Sequence, residues 1–272
     1  MSKILSFTTS PTRLFKCDKM IESILKQTIL PDKIILNIPP LFERTKEPYI
    51  IPDTIKEMID KQLIEINYCD RDWGPGTKII PTIQYLHKYN YNNDTRIIYC
   101  DDDIYYPPHM IETFLTLNKD SVWAASGFQF INFRILGKRN HNDNISIVEG
   151  YGGVCVTLSM FNNDFIEYIS DMVQYNDVKL SDDIMLSNYY WKQNIPMRVC
   201  NIKNKHSFND IWYNNGVLDY GNKEDALHNG ASNTSMNNNN RYLNVLSFLS
   251  KNKNRFFPVY FLDKNTNEIT KK

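Results

Sequence analysis

The chain has 272 residues, of which 42% are apolar and 13% aromatic, enough for one large domain or two small ones with a substantial core. Lysine plus arginine equals aspartate plus glutamate at 31 each, so the formal charge is zero, which argues against a nucleic-acid binder working through a general basic field. No apolar run approaches ~18 residues, so no membrane span is expected.

The opening residues Met1 to Phe7 run straight into a strand pattern, with no apolar signal core or small-residue cleavage site, and predict a soluble, cytoplasmic protein. Cys17, Cys69, Cys100, Cys155 and Cys200 are widely spaced, with no Cys-x-x-Cys pair. That spacing predicts reduced, buried thiols rather than a zinc site.

Taken in order, Ile4 to Thr8 reads as a strand, broken by Ser10-Pro11-Thr12. Leu14, Cys17, Met20, Ile21, Ile24 and Leu25 recur at helical spacing up to Pro31. Lys33 to Ile38 is a second strand, Thr54-x-x-Glu57 a capping box before a short helix, and Ile64 to Tyr68 a third strand. Strand, helix, strand, helix, strand predicts parallel pairing through right-handed crossovers. Asp70 to Thr77 is a polar connection, Lys78 to Tyr89 a helix, and Ile97 to Cys100 a short apolar strand with no helical spacing. A helix over His109 to Leu117 and a strand over Val122 to Ala125 follow. Beyond Gly127 the regularity weakens. Strands are predicted at Phe128 to Ile131, Ile145 to Val148 and Met197 to Ile202, and helices at Asn163 to Val173, Asp182 to Trp191 and Tyr242 to Leu249. No repeat or linker divides the chain, which reads as one domain with two functional halves, about 1–126 and 127–272.

Asp101, Asp102 and Asp103 close the central strand. Such a triplet can be a solvated turn or a helix N-cap. At the carboxyl end of a strand in an open α/β sheet, however, it stands where ligands bind. Three like charges there need a compensating cation, and hard oxygen ligands suit Mg or Mn, which usually also coordinate substrate phosphates. Pro107 and Pro108 then prevent further strand pairing.

A second acidic site is Ser181-Asp182-Asp183. It reads either as an N-cap with a carboxylate favouring the positive helix end, or as a general base for an incoming hydroxyl. Gly74-Pro75-Gly76-Thr77-Lys78 lacks Walker spacing, and is either an ordinary turn or a place where backbone amides and Lys78 approach a phosphate. Gly150 to Gly153 is either a turn or a wall lying close to a bound sugar. His206, in a polar context after the strand Met197 to Ile202, is a surface histidine or a further metal ligand.

Together these segments, over Ile4 to Ile202, resemble the GT-A-fold glycosyltransferases that use nucleotide sugars, near the inverting family 2 and its giant-virus and capsule-type members. The resemblance is carried by five features in order: Thr8-Thr9-Ser10-Pro11-Thr12-Arg13 after the first strand, Gln27 before the strand Lys33 to Ile38, Asp72-Trp73-Gly74-Pro75-Gly76-Thr77-Lys78, the Asp101 to Asp103 triplet, and Asp182-Asp183. It implies an α/β fold of the GT-A, Rossmann-like kind, with a mixed, mostly parallel central sheet flanked by helices. It also implies that the first half binds nucleotide sugar and metal, while the second binds acceptor and carries the base.

By resemblance, Thr8, Thr9 and Arg13 line the nucleotide pocket, Asp72 lies near base or ribose, and Lys78 is in the donor-site wall. Asp101 and Asp102 face ribose or metal, and Asp103 binds Mn or Mg; the motif fixes no third metal ligand, for which His206 is the candidate from its sequence context alone. Asp183 matches the catalytic base. Asp182 is its alternative, standing where family members often carry Glu. The implied reaction is metal-dependent, inverting transfer of a hexosyl or deoxyhexosyl group from a nucleotide-diphosphate donor, a UDP-sugar first, to a glycan or protein hydroxyl. Two alternatives remain. A nucleotidyltransferase would carry a glycine-rich basic loop after the first strand, which Ser10 to Arg13 is not; a sugar-binding module of the same fold would show no turnover.

Overall fold

The computed structural model describes residues 1–131, 134–136, 144–202, 238–262 and 269–271. His206, like His141 and His228, lies outside the described residues, and so does the predicted loop over 137–143.

The predicted alternation produces β1 (Lys3–Thr8), α1 (Asp18–Leu25), β2 (Lys33–Ile38), α2 (Asp53–Asp60), β3 (Glu65–Tyr68), α3 (Ile80–Lys88), β4 (Arg96–Tyr99), α4 (Met110–Leu115) and β5 (Val122–Ala124). After these come β6 (Gly127–Ile131), β7 (Arg134–Leu136), β8 (Ile147–Val148), β9 (Val154–Thr157), α5 (Phe165–Met172), α6 (Asn176–Lys179), α7 (Asp182–Lys192) and β10 (Met197–Val199). The described chain ends with α8 (Asn238–Lys251), β11 (Val259–Leu262) and β12 (Ile269–Lys271).

Seven strands form the main sheet in the order β10-β5-β9-β4-β1-β2-β3. The pairs β1/β2, β1/β4, β2/β3 and β5/β10 are parallel, as the alternation of strand and helix predicts. β9 is the exception, running antiparallel between β4 and β5. Its insertion brings the chain after Gly150 back beside the strand that ends at the aspartates. A second sheet, β12-β11-β6-β7 with β8 on β6, uses strands from beyond Gly127.

Both faces of the main sheet are covered, which is why β4 is apolar without alternation. Ile97 and Tyr99 join one core with residues of α3, α5, α7 and α8, whereas Ile98 and Cys100 join another with residues of α1, α2 and α4. All five cysteines are buried and unpaired. The predicted capping box is not formed: Pro52, not a side chain, occupies the N-cap of α2, and Thr54 lies inside the helix. No helix of the described residues is long and apolar enough to cross a membrane.

Candidate active site

Ion pairs and hydrogen bonds join the carboxyl ends of β1 and β4, the turn before α3, the Gly150 turn and the start of α7 into one polar cluster, the candidate cleft. A buried polar network fixes the turn. Ser6 in β1 and Asn37 in β2 are polar residues within otherwise apolar strands; Asn37 Nδ2 donates to Ser6 Oγ at 3.0 Å and to Thr82 Oγ1 at 2.9 Å. Ser6 Oγ in turn reaches the carbonyl of Lys78 at 2.5 Å. Four polar groups buried from water must satisfy one another, so they hold the backbone of Lys78 against the sheet.

Asp72 shapes the same turn from the other side. Its Oδ1 accepts from the Gly74 amide at 2.7 Å and its Oδ2 from the Glu43 amide at 2.8 Å. Gly74 adopts φ +64°, a left-handed conformation that its missing Cβ permits, and a Cβ there would stand 2.7 Å from the Lys179 carbonyl. Residues Gly74–Lys78 consequently wind into a 3-10 turn that delivers Lys78 inward.

Lys78 is 5% exposed. Its ammonium pairs with Asp101 Oδ1 and, at 3.1 Å, with Asp182 Oδ2. One side chain thus joins acidic groups 81 positions apart. Burial alone would lower the pKa of Lys78, but Asp101, Asp182 and Asp183 together hold it well above its ordinary value, so it stays charged.

Arg13 plays the corresponding part for the other two aspartates of the triplet. Its Nη2 pairs with Asp102 Oδ1 and with Asp103 Oδ2, the latter at 2.6 Å. Thr9 Oγ1 donates to Asp102 Oδ2 at 2.5 Å, and Tyr49 donates to the Thr9 carbonyl at 2.8 Å. Thr8 points elsewhere, donating to the Asn37 carbonyl at 2.9 Å. Gln27 braces the loop after the triplet: its Nε2 donates to the Pro107 carbonyl at 2.7 Å and its Oε1 accepts from the Ile111 amide at 3.1 Å. The helix that follows has His109 at its N-cap, not the triplet, and Arg13, Lys78 and the Thr9 hydroxyl each meet triplet oxygens.

The negative charge is only partly compensated. Burial, then the neighbouring Asp102, push the Asp103 carboxyl up to about 7. Burial likewise raises Asp102 against the pull of Arg13.

The base candidates differ in surroundings. Asp182 is buried and paired with Lys78, whereas Asp183 is half-buried and forms no ion pair among the described residues. Asp183 Oδ1 accepts from the Gly150 amide at 2.8 Å, and Oδ2 from the Tyr242 hydroxyl at 2.9 Å. Burial, followed by the Asp182 charge, raises the Asp183 pKa well above the usual carboxylate range. The absence of a side chain at Gly150 leaves room for both groups, since a Cβ would stand 2.8 Å from Lys78 Nζ and 3.4 Å from Asp183 Oδ1.

Among the described residues there is no group of three His, Cys, Asp or Glu side chains arranged to hold a metal. Asp101 and Asp103 each keep one carboxylate oxygen outside any hydrogen bond or ion pair among the described residues, Oδ2 and Oδ1 respectively. Carboxylate oxygens are of the hard type that Mg or Mn takes, usually with the balance of the shell from substrate phosphates and water. The predicted third ligand, His206, lies outside the described residues.

No family model and no curated protein matches the chain. Among solved structures it is similar to S. aureus TarS, with 12% identity, 75% of this chain and 36% of that chain covered, and a TM-score of 0.49. The 1–349 portion of TarS in complex with UDP aligns at 12% identity over 73% of this chain and 57% of that one, with a TM-score of 0.47. A 4-diphosphocytidyl-2C-methyl-D-erythritol synthase aligns at 6% identity over 74% and 90%, with a TM-score of 0.43. The chain spans between about a third and three-fifths of the TarS chains it aligns with.

Several residues of the cleft were not singled out by the sequence. Tyr242 sits on α8, 59 positions from Asp183, and nothing in its local pattern marks it. Glu149, Ser126 and Tyr106 are similar cases. Tyr106 donates to the Tyr151 carbonyl at 2.8 Å and accepts from the Asp101 amide at 3.0 Å, tying the Gly150 turn to the end of β4. Ser6 and Asn37 did leave a signal, as polar residues within buried strands.

Proposed function

We propose that the chain is an inverting glycosyltransferase of the GT-A kind, related to family 2, that moves a hexosyl or deoxyhexosyl group from a nucleotide-diphosphate sugar to an acceptor hydroxyl. The observation that carries this reading is the convergence of Asp101 and Asp182 on Lys78, which gives one cleft a carboxylate set for a cation and a separate carboxylate for a proton. A UDP-sugar is the first donor to test, as the resemblance to the GT-A glycosyltransferases implies.

In this reading Asp101 and Asp103 would hold a Mg or Mn ion, which would supply positive charge against the donor diphosphate. Arg13 and Thr9 fix Asp102 behind them. Asp183 takes the proton from the acceptor hydroxyl, whose oxygen forms the new bond to the anomeric carbon from the face opposite the diphosphate. The bond from that carbon to the diphosphate breaks, its electron pair leaving with the phosphate oxygen, so the configuration inverts. Asp183 is favoured over Asp182 as base because Lys78 neutralises Asp182, and a raised proton affinity makes Asp183 the stronger base. The first half of the chain would serve the donor and the second the acceptor.

Thermal stabilisation by UDP with MnCl2, against UDP or MnCl2 alone, tests the donor half. Asp103→Ala should abolish the joint stabilisation, while Asp183→Ala should keep it and lose transfer. Wild-type transfer rates in either variant would defeat the assignment. A nucleotidyltransferase would instead release diphosphate from a nucleoside triphosphate, and a sugar-binding module would release nothing.

A further inference from the structure

Glu149 lies immediately before Gly150, whose amide donates to Asp183 Oδ1 at 2.8 Å. Its carboxylate is anchored at one oxygen only. Tyr151 donates its hydroxyl proton to Ser126 Oγ at 2.7 Å, which obliges Ser126 to send its own proton to Glu149 Oε2, at 2.6 Å. The other oxygen, Oε1, accepts no hydrogen bond among the described residues, and no lysine, arginine or histidine pairs with Glu149 there. A half-buried carboxylate with neither a counter-ion nor a second donor is costly unless something supplies that donor. The turn that carries it is fixed at both ends of the cleft: through Gly150 to Asp183, and through the Tyr151 carbonyl and Tyr106 to the backbone of Asp101. Asp183 also senses the charge of Glu149 directly.

Building on the proposed function, we infer that Glu149 Oε1 is an acceptor-positioning group, and that the acceptor is a sugar or polyol presenting two neighbouring hydroxyls, one to Asp183 for attack and its neighbour to Glu149. The Gly150 turn serves two carboxylates, Asp183 through its amide and Glu149 at the preceding position, one kept for the proton and one held by Ser126 and Tyr151, a pairing suited to a vicinal diol. A serine or threonine side chain of a protein offers one hydroxyl and would leave Glu149 unmet. Glu149 takes no proton in the reaction; it accepts a hydrogen bond that orients the attacking oxygen.

The test measures UDP release from UDP-glucose, UDP-galactose and UDP-N-acetylglucosamine with MnCl2, in the presence of methyl hexopyranosides, their monodeoxy forms, or a Ser/Thr peptide. At least one intact glycoside should stimulate release, and removing the hydroxyl beside the one attacked should raise KM about tenfold or more, as expected for a hydrogen bond to a charged group. Glu149→Gln should raise KM for the intact glycoside similarly and leave KM for that deoxy form unchanged, the two losses failing to add. UDP affinity by calorimetry reports whether Glu149→Gln is folded. Should that variant fail to fold, the deoxy series on the unaltered chain decides. Additive losses, equal use of the intact and deoxy glycosides, or preference for the peptide would overturn the inference while leaving glycosyl transfer intact. Failure of the unaltered chain to bind any of UDP, GDP and dTDP in the presence of MnCl2 would overturn the proposed function, and this inference with it.

Discussion

The ammonium of Lys78 lies 3.1 Å from Asp182 Oδ2 while it also pairs with Asp101, so a single buried cation joins the end of β4 to the start of α7. Breaking a buried pair by removing one partner leaves uncompensated charge and costs about 3–5 kcal/mol. Here two carboxylates would be stranded. Lys78→Met should therefore lower the unfolding free energy obtained from urea titration by that amount or unfold the chain, whereas Lys26→Met, in the exposed pair with Glu22, should leave stability little changed. A Lys78→Met protein as stable as the parent would show that the two acidic groups do not depend on this cation.

Gly150 separates stability from activity. A methyl group there would meet Lys78 Nζ at 2.8 Å, and that is the far end of a flexible side chain, which can move at modest cost. Moving it displaces Asp101 and Asp182, and misplacement of reacting groups by about 1 Å costs up to about 100-fold in rate. Gly150→Ala should keep its thermal midpoint within a few degrees and lose about 10- to 100-fold in kcat. Unchanged kcat would remove Gly150 from the cleft's working geometry.

The large sheet was legible because its determinants are local. The runs Lys33 to Ile38 and Arg96 to Tyr99 are continuous and apolar, the helices between them are amphipathic, and alternation of the two leaves few topologies. The antiparallel β9 was not legible, since Val154-Cys155-Val156 reads the same in either direction and its placement depends on contacts with β4 and β5. The site divides in the same way. Asp101 to Asp103 and Asp182-Asp183 stand out as charge at element ends, as Lys78 does beside its glycines. Tyr242 and Ser126 reach the cleft only through long-range packing, such as the stacking of Tyr242 on Phe128 at 5.7 Å between ring centroids. The assignment of Asp72 to the nucleotide came from resemblance, and its hydrogen bonds to the Gly74 and Glu43 amides give it a visible task in shaping the turn.

Stability should fall as pH rises towards neutrality. Asp102, Asp103, Glu149 and Asp183 all have carboxyls raised by burial. A carboxyl raised in the folded state keeps its proton in a window where the unfolded chain has lost it, so deprotonation within that window favours unfolding. For Asp103 the window runs from about 4 to about 7. Carboxyls held low by exposed partners, such as Asp53 and Asp164, exchange protons below that range and do not offset the trend. The thermal midpoint should accordingly be several degrees lower at pH 8 than at pH 5.5. MnCl2 with UDP should narrow the difference, because bound cation replaces the lost protons. A midpoint that rises over the same interval would contradict the burial of these groups.

Tyr242 makes the identity of the base measurable. Its hydroxyl donates to Asp183 Oδ2 at 2.9 Å, a bond that favours the ionised carboxylate and opposes the burial that raises it. Asp183→Asn should cost about 100- to 10,000-fold in kcat, the usual worth of a positioned general base, with UDP affinity retained. Tyr242→Phe keeps the base and the ring but removes the donor, so the Asp183 pKa climbs further. A hydrogen bond to a charged group is worth about 1.5–3 kcal/mol, so the acid limb of kcat/KM should move to higher pH by about one to two units, with the plateau rate little changed. If the base were Asp182, held instead by Lys78, Tyr242→Phe would leave the limb where it was and Asp183→Asn would spare the rate.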